Sequence, residues 1–179
     1  MSISAHSPAA QAIYSQLELQ RATFDLLAQE LYQKKARLAV LRRQVANTAT
    51  VPYGGGDGAT GRSKGKVVSL ALARFQGEIR QLLAQTDSLA GQAATLEEDL
   101  RSSGERHIAE TRLRVVSLVT IASRSAHACS PAVVLQIKLA IDDANAEIVR
   151  VLDLMDLANH AATRLHEGLR RMQSCAAEY

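Results

Sequence analysis

At 179 residues, with 47% apolar side chains, the chain is long enough for one domain with a true core and too short to favour two independent ones. Aromatic residues make up only 3% and Trp is absent, so the core is aliphatic and alanine-rich, and the platforms on which bases or sugars stack are missing. A net charge of +3 hides an uneven distribution, and 3 prolines with 10 glycines favour long helices over many short strands.

The opening residues Met1 to Pro8 carry neither the basic nor the apolar region of a signal peptide. Ser7 and Pro8 read as an N-cap followed by proline at the first helical position. From there Leu17, Phe24, Leu31, Leu38 and Val45 recur every seven residues, interleaved with Ile13, Leu27 and Leu41, which predicts a helix over 8–48. Gln20 and Lys34 break the second register. Such polar residues either sit in a seam and set its register or lie along its edge with their stems over apolar surface. Tyr14 and Glu18 have the spacing of a short export signal of helical-hairpin proteins, but they lie inside this helix and no Trp-x-Gly turn accompanies them.

Residues 49–66 hold six of the ten glycines and are predicted to form a flexible Gly-rich loop. Its Gly65-Lys66 end does not make a phosphate-binding loop. Thr60 stands where the first glycine is required, Val67 where a Ser or Thr is required, and a helix rather than a strand precedes it.

Val68, Phe75, Leu82, Leu89 and Leu96, with Leu72, Ile79, Ala93 and Leu100, predict a second helix over 67–101. Ser102, Ser103, Gly104 and Glu105 then resemble a capping box, which favours a break and a third helix over 105–128. The alternative is an uninterrupted helix, since apolar steps of four from Leu96 to Ile108 also read as a stutter. The stretch Val115 to Ala122 is the most apolar in the chain and is too short to cross a bilayer, so no transmembrane segment is expected.

Ser130 and Pro131 open the last helix, predicted over 131–175. Val134, Ile141, Ile148, Met155, Ala162 and Leu169 form its heptad stripe, interleaved with Ile137, Ala144, Val151, Ala158, Leu165 and Met172. The fold class is therefore all-α: one domain built as an elongated antiparallel helical bundle or coiled coil of three to four long helices. Phe24, Leu31, Phe75, Leu82, Ile141, Ile148, Val151 and Leu165 are its expected core. Helices of such unequal length cannot cover every seam among themselves.

Catalytic, metal and cofactor sites are not expected. The assigned seams of the first, second and last helices hold no Asp, Glu or His, and no Glu-x-x-His occurs, which argues against a di-iron bundle. Asp156 and His160 form a lone i,i+4 pair, the usual spacing of a solvated ion pair. Cys129 stands near His127 at the start of a helix, yet residues two apart point to different sides, so a thiolate and its base do not meet. Cys129 and Cys175 lie about 65 Å apart along a continuous helix, far beyond disulfide reach. Two unpaired thiols point to a reducing compartment. The expected location is cytoplasmic, with non-classical secretion as the alternative.

Charge concentrates at one place. Lys34, Lys35, Arg37, Arg42, Arg43, Arg62, Lys64 and Lys66 are opposed only by Asp57 over 31–66, a local net of +7. These eight residues are the candidate anion- or partner-binding site at the tip that carries the loop. The expected function is a non-enzymatic scaffold, adaptor or secretion-associated protein that acts through helix-mediated protein–protein assembly, with a protein partner or a second copy bound along its seams. One alternative is an amphipathic protein of lipid or granule surfaces. Another is an accessory protein that holds nucleic acid by charge.

Overall fold

The computed structural model describes residues 8–49, 59–125 and 130–177. All of these but Ser130 are helical, in three elements: α1 (Pro8–Ala49), α2 (Ala59–Ser125) and α3 (Pro131–Ala177). The starts follow the capping signals. Pro8 and Pro131 occupy first helical positions, where a missing N–H costs nothing, and the Ser130 carbonyl accepts hydrogen bonds from Val133 N–H at 3.0 Å and Val134 N–H at 3.3 Å.

Two expectations about element boundaries are corrected. The break near Gly104 does not exist, and the second and third expected helices are the single 67-residue α2. Ser103 Oγ donates to the carbonyls of Asp99 at 2.7 Å and Leu100 at 3.2 Å, bonding back into the preceding turn instead of capping a new one. Gly104 is a place of close approach: a Cβ there would overlap the Met155 side chain of α3, with Cε only 2.9 Å away. The Gly-rich loop is also shorter than expected, because α2 begins at Ala59 and takes in 59–66. Residues 50–58 of that loop lie outside the described residues.

The chain divides into two compact units. The described part of unit 1 comprises 8–25 of α1, 94–125 of α2 and 130–163, nearly all of it α3. Ala10, Ile13, Leu17, Phe24, Leu100, Ile108, Ala144, Val151 and Ala158 are buried in it, so each helix contributes its heptad face. Unit 2 comprises 26–49 of α1, 59–93 of α2 and 164–177 of α3, with Leu31, Leu38, Leu41, Leu89, Leu165, Leu169 and Met172 buried. Here α3 comes close to α1 at Gly168, where a Cβ would stand 2.7 Å from Leu31 Cδ2.

Of the expected core, Phe24, Leu31, Val151 and Leu165 are buried, whereas Phe75, Leu82, Ile141 and Ile148 are only half-buried. Phe75 has a plain cause. In unit 2, α3 reaches α2 at Gln173 and Asp87 and ends four residues later, so Phe75 lies where α1 and α2 pair without a third helix. Gln20 is buried in its seam, and its Oε1 has no hydrogen-bond partner among the described residues. Lys34 takes the other course: its stem lies along the edge and its ammonium reaches Glu30 at 3.0 Å and Gln85 at 2.9 Å.

Candidate functional site

Unit 1 contains a polar cluster that heptad reading passes over. Glu147 lies between Ala144 and Ile148, off the assigned register, yet it is buried. One carboxylate oxygen stands 2.7 Å from His107 Nε2 and accepts the Thr111 hydroxyl at 3.4 Å, and the other accepts Arg114 at 2.7 Å. Burial alone pushes this carboxyl up, but the hydrogen bonds and charges of Arg114 and His107 outweigh it and hold it below its ordinary value. One turn on, the Arg150 guanidinium lies 4.6 Å above the Tyr14 ring of α1. Burial raises the Tyr14 hydroxyl's pKa, with the Glu147 charge adding to the effect.

Beyond this cluster the core stops although the apolar pattern does not. No described residue of α2 after Thr111, and none of α3 before Ala144, is buried. The faces that carry the cluster nevertheless continue. Ile121 follows Arg114 by seven positions and His107 by fourteen, Val133 precedes Glu147 by fourteen, and Leu139 precedes Arg150 by three turns. These successors are exposed, Ile121 51%, Val133 40% and Leu139 55%, and Leu113, Val116 and Leu135 are exposed on other faces of the same helices. Only Arg124 carries a formal charge between Val115 and Ile137. The result is an open apolar seam on the end of unit 1.

Unit 2 receives the expected basic residues. Arg37 pairs with Glu78 at 2.8 Å, and Arg74 reaches the same carboxylate at 3.3 Å. The Arg37 hydrogen bond is the main cause of a Glu78 carboxyl held below its ordinary value. Lys34 and Arg37 are thus engaged with Glu30 and Glu78, which both lie outside the 31–66 window in sequence. Lys35 and Arg42 line a groove of about 230 Å³ together with Leu38, Ala39, Arg171 and Met172. Arg43 is exposed. Arg62, Lys64 and Lys66 belong to α2 rather than to a loop, and their side chains lie outside the described residues. Arg171, close to Arg42 only in the folded chain, is the cation that sequence order conceals.

Among the described residues no group of three or more His, Cys, Asp or Glu side chains is placed to hold a metal ion. Asp156 and His160 are both exposed. Cys129 and His127, and the Cys175 side chain, lie outside the described residues. Among the described residues no helix is long and apolar enough to cross a membrane. Set against protein-family models, curated proteins and solved structures, the chain matches none of them.

Proposed function

We propose that this chain is a non-enzymatic helical-bundle protein, an elongated antiparallel coiled-coil assembly of its three helices, that acts as a scaffold, adaptor or secretion-associated subunit by packing its helices against a partner. The antiparallel sense of α2 and α3 is supported within unit 1 by Gly104 lying against Met155 while His107 meets Glu147, so numbers rise on one helix as they fall on the other. The observation that carries the functional reading is the open seam. Exposed apolar side chains such as Ile121, Val133 and Leu139 on a water-facing helix pair cost solvation free energy, and helix-mediated association removes that cost. The test is co-purification with the full chain as bait and light scattering on the isolated protein. A protein that stays monomeric and captures nothing overturns the proposal.

A second reading rests on the groove of unit 2. Lys35, Arg42 and Arg171 surround a floor of Leu38, Ala39 and Met172, an arrangement suited to an anionic group with an apolar attachment, whether on a partner helix or a lipid. Retention on an immobilised polyanion such as heparin, and co-sedimentation with phosphatidylserine vesicles, measure it. Binding by neither ends it.

A further inference from the structure

We infer that unit 2 seats an acidic amphipathic helix of a partner protein on its α1–α2 pair beyond the end of α3, where the guest continues the packing that α3 begins and sets its carboxylates against Arg42 and Arg80. This inference rests on the second reading above and names a partner helix as the source of the anionic group.

Two observations select this occupant. The first is continuity with the packing already present. On α2 one 3–4 stripe runs from Ala93, Leu89 and Thr86, which are buried, to Leu82, Ile79, Phe75 and Leu72, which are half-buried. On α1 the stripe fades in the same way, from the buried Leu38 and Leu41 to the half-buried Val45. The change comes where α3, having met Asp87 of α2 through Gln173, ends at Ala177. Among the described residues no third helix takes its place. Leu72 to Leu82 spans roughly 15 Å, the length of about three helical turns.

The second observation is charge. Arg171 and Met172 of α3 share a groove with Lys35, Leu38, Ala39 and Arg42, so α3 lies on that flank of α1, and on the Asp87 flank of α2. One heptad toward the open end, the same flanks carry Ala46 after Ala39 and Arg80 before Asp87. From 31 to 49 α1 holds no acidic residue, and from 59 to 86 α2 holds only Glu78. That carboxylate is held by Arg37 at 2.8 Å and Arg74 at 3.3 Å, and Arg37, two residues from Lys35, points to another side of α1. Arg171 at the inner end is already shared with Glu167 at 3.4 Å. The seat thus joins apolar side chains to a cationic flank, which matches a helix whose apolar stripe is bordered by Asp or Glu. The same seat of a second copy would set Arg42 and Arg80 against their own kind, and a purely polar polyanion would leave Phe75 and Ile79 uncovered.

The experiment uses the full chain and a fluorescent helical peptide of about three heptads with Leu at a and d and Glu at e and g. Fluorescence anisotropy at about 0.1 M salt should give a micromolar dissociation constant that weakens steeply as salt rises. The same peptide with Lys for Glu, and a scrambled peptide of the acidic composition without the stripe, should each bind at least tenfold more weakly. Lys35→Glu/Arg80→Glu changes two exposed side chains, so helicity and melting temperature should match the parent while affinity for the acidic helix falls at least tenfold. Arg43→Glu/Arg106→Glu makes the same change in net charge at exposed positions off the flank, and affinity should stay within about twofold. An acidic helix that fails to bind overturns the inference, and if heparin or vesicles still bind the chain, the second reading stands without it. Equal binding of the scrambled peptide also overturns it, because charge alone is then recognised. So does an equal loss in the two double variants, because the contact is then not on this flank.

Discussion

At the residue scale, buried polar groups decide more than the apolar stripe does. Glu147 is buried, but each of its oxygens is met by a donor, and its depressed pKa makes it a source of stability with a defined pH window. Because the folded value lies below the ordinary 4.5, the contribution is complete above about pH 4.5 and is lost as pH falls through the folded pKa. Glu147→Gln should therefore lower stability by about 1–2 kcal/mol near pH 7. In chemical denaturation repeated at a series of pH values, the difference from the parent should shrink toward zero in acid, where both side chains are neutral. A difference that stays constant down to pH 2 would show that shape rather than charge is responsible. Gln20 is the opposite case, a buried oxygen without a hydrogen-bond partner among the described residues. Gln20→Leu should raise stability by about 1 kcal/mol in urea unfolding, since the side chain is already buried and its oxygen leaves no bond to lose. A loss would mean that the amide specifies the packing of its helix.

At the element scale, four glycines of α2 and α3 separate propensity from packing. Gly77 and Gly91 are exposed within α2, and a Cβ at either meets nothing within 4 Å. Alanine at each should raise stability by ~0.5–1 kcal/mol through helix propensity. Gly104 and Gly168 stand where another helix closes in, and a Cβ there overlaps Met155 or presses on the buried Leu31. Their alanine variants should lose about 1–3 kcal/mol to overpacking, with Gly168 the more costly because Leu31 has less room to move than Met155. Thermal unfolding of the four single variants checks the ordering. If Gly104→Ala stabilised the protein, the approach of Met155 would be looser than described. The same contact explains why a glycine beside two serines does not interrupt α2: Met155 fills the space that a side chain would need, and the Ser103 hydroxyl bonds within its own helix.

At the scale of the whole molecule, charge and apolar surface act at separate places. The net charge of +3 combines a basic run of +7 over 31–66 with a mildly acidic remainder, and folding returns part of the balance by placing Glu30 and Glu78 beside Lys34 and Arg37. Retention on heparin should therefore depend only weakly on Lys34 and Arg37, whose charges Glu30 and Glu78 offset, and Arg42, Arg43, Arg62, Lys64 and Lys66 are the cations to test together. Changing those five to Gln should shift elution to markedly lower salt while leaving helicity unchanged, as screening over a Debye length of about 10 Å at 0.1 M requires. Changing Lys34 and Arg37 together should move elution much less and lower the melting temperature instead. The reverse pattern would place the anion contact on the paired cations. Apolar surface outside the open seam is scattered, as at Leu19, Leu26 and Tyr32, in the manner ordinary for a folded chain.

The starts of α1 and α3, the heptad faces of those two helices and the all-α class were legible in the order of the residues, because capping chemistry and the 3.6-residue period act within a few turns of one helix, whereas the bounds of α2 were not. Tertiary structure decided everything that depends on which helix stands opposite. It decided that Gly104 receives Met155 instead of ending a helix, and that Glu147 is sheltered by His107 and Arg114 from α2. It put Arg171 beside Arg42, and it left Ile141 half-buried where its heptad promised core. A periodic stripe reports which face of a helix seeks burial, but only the lengths and registers of its neighbours determine where the partner stops, and Val134, on the stripe of α3, is left exposed for that reason.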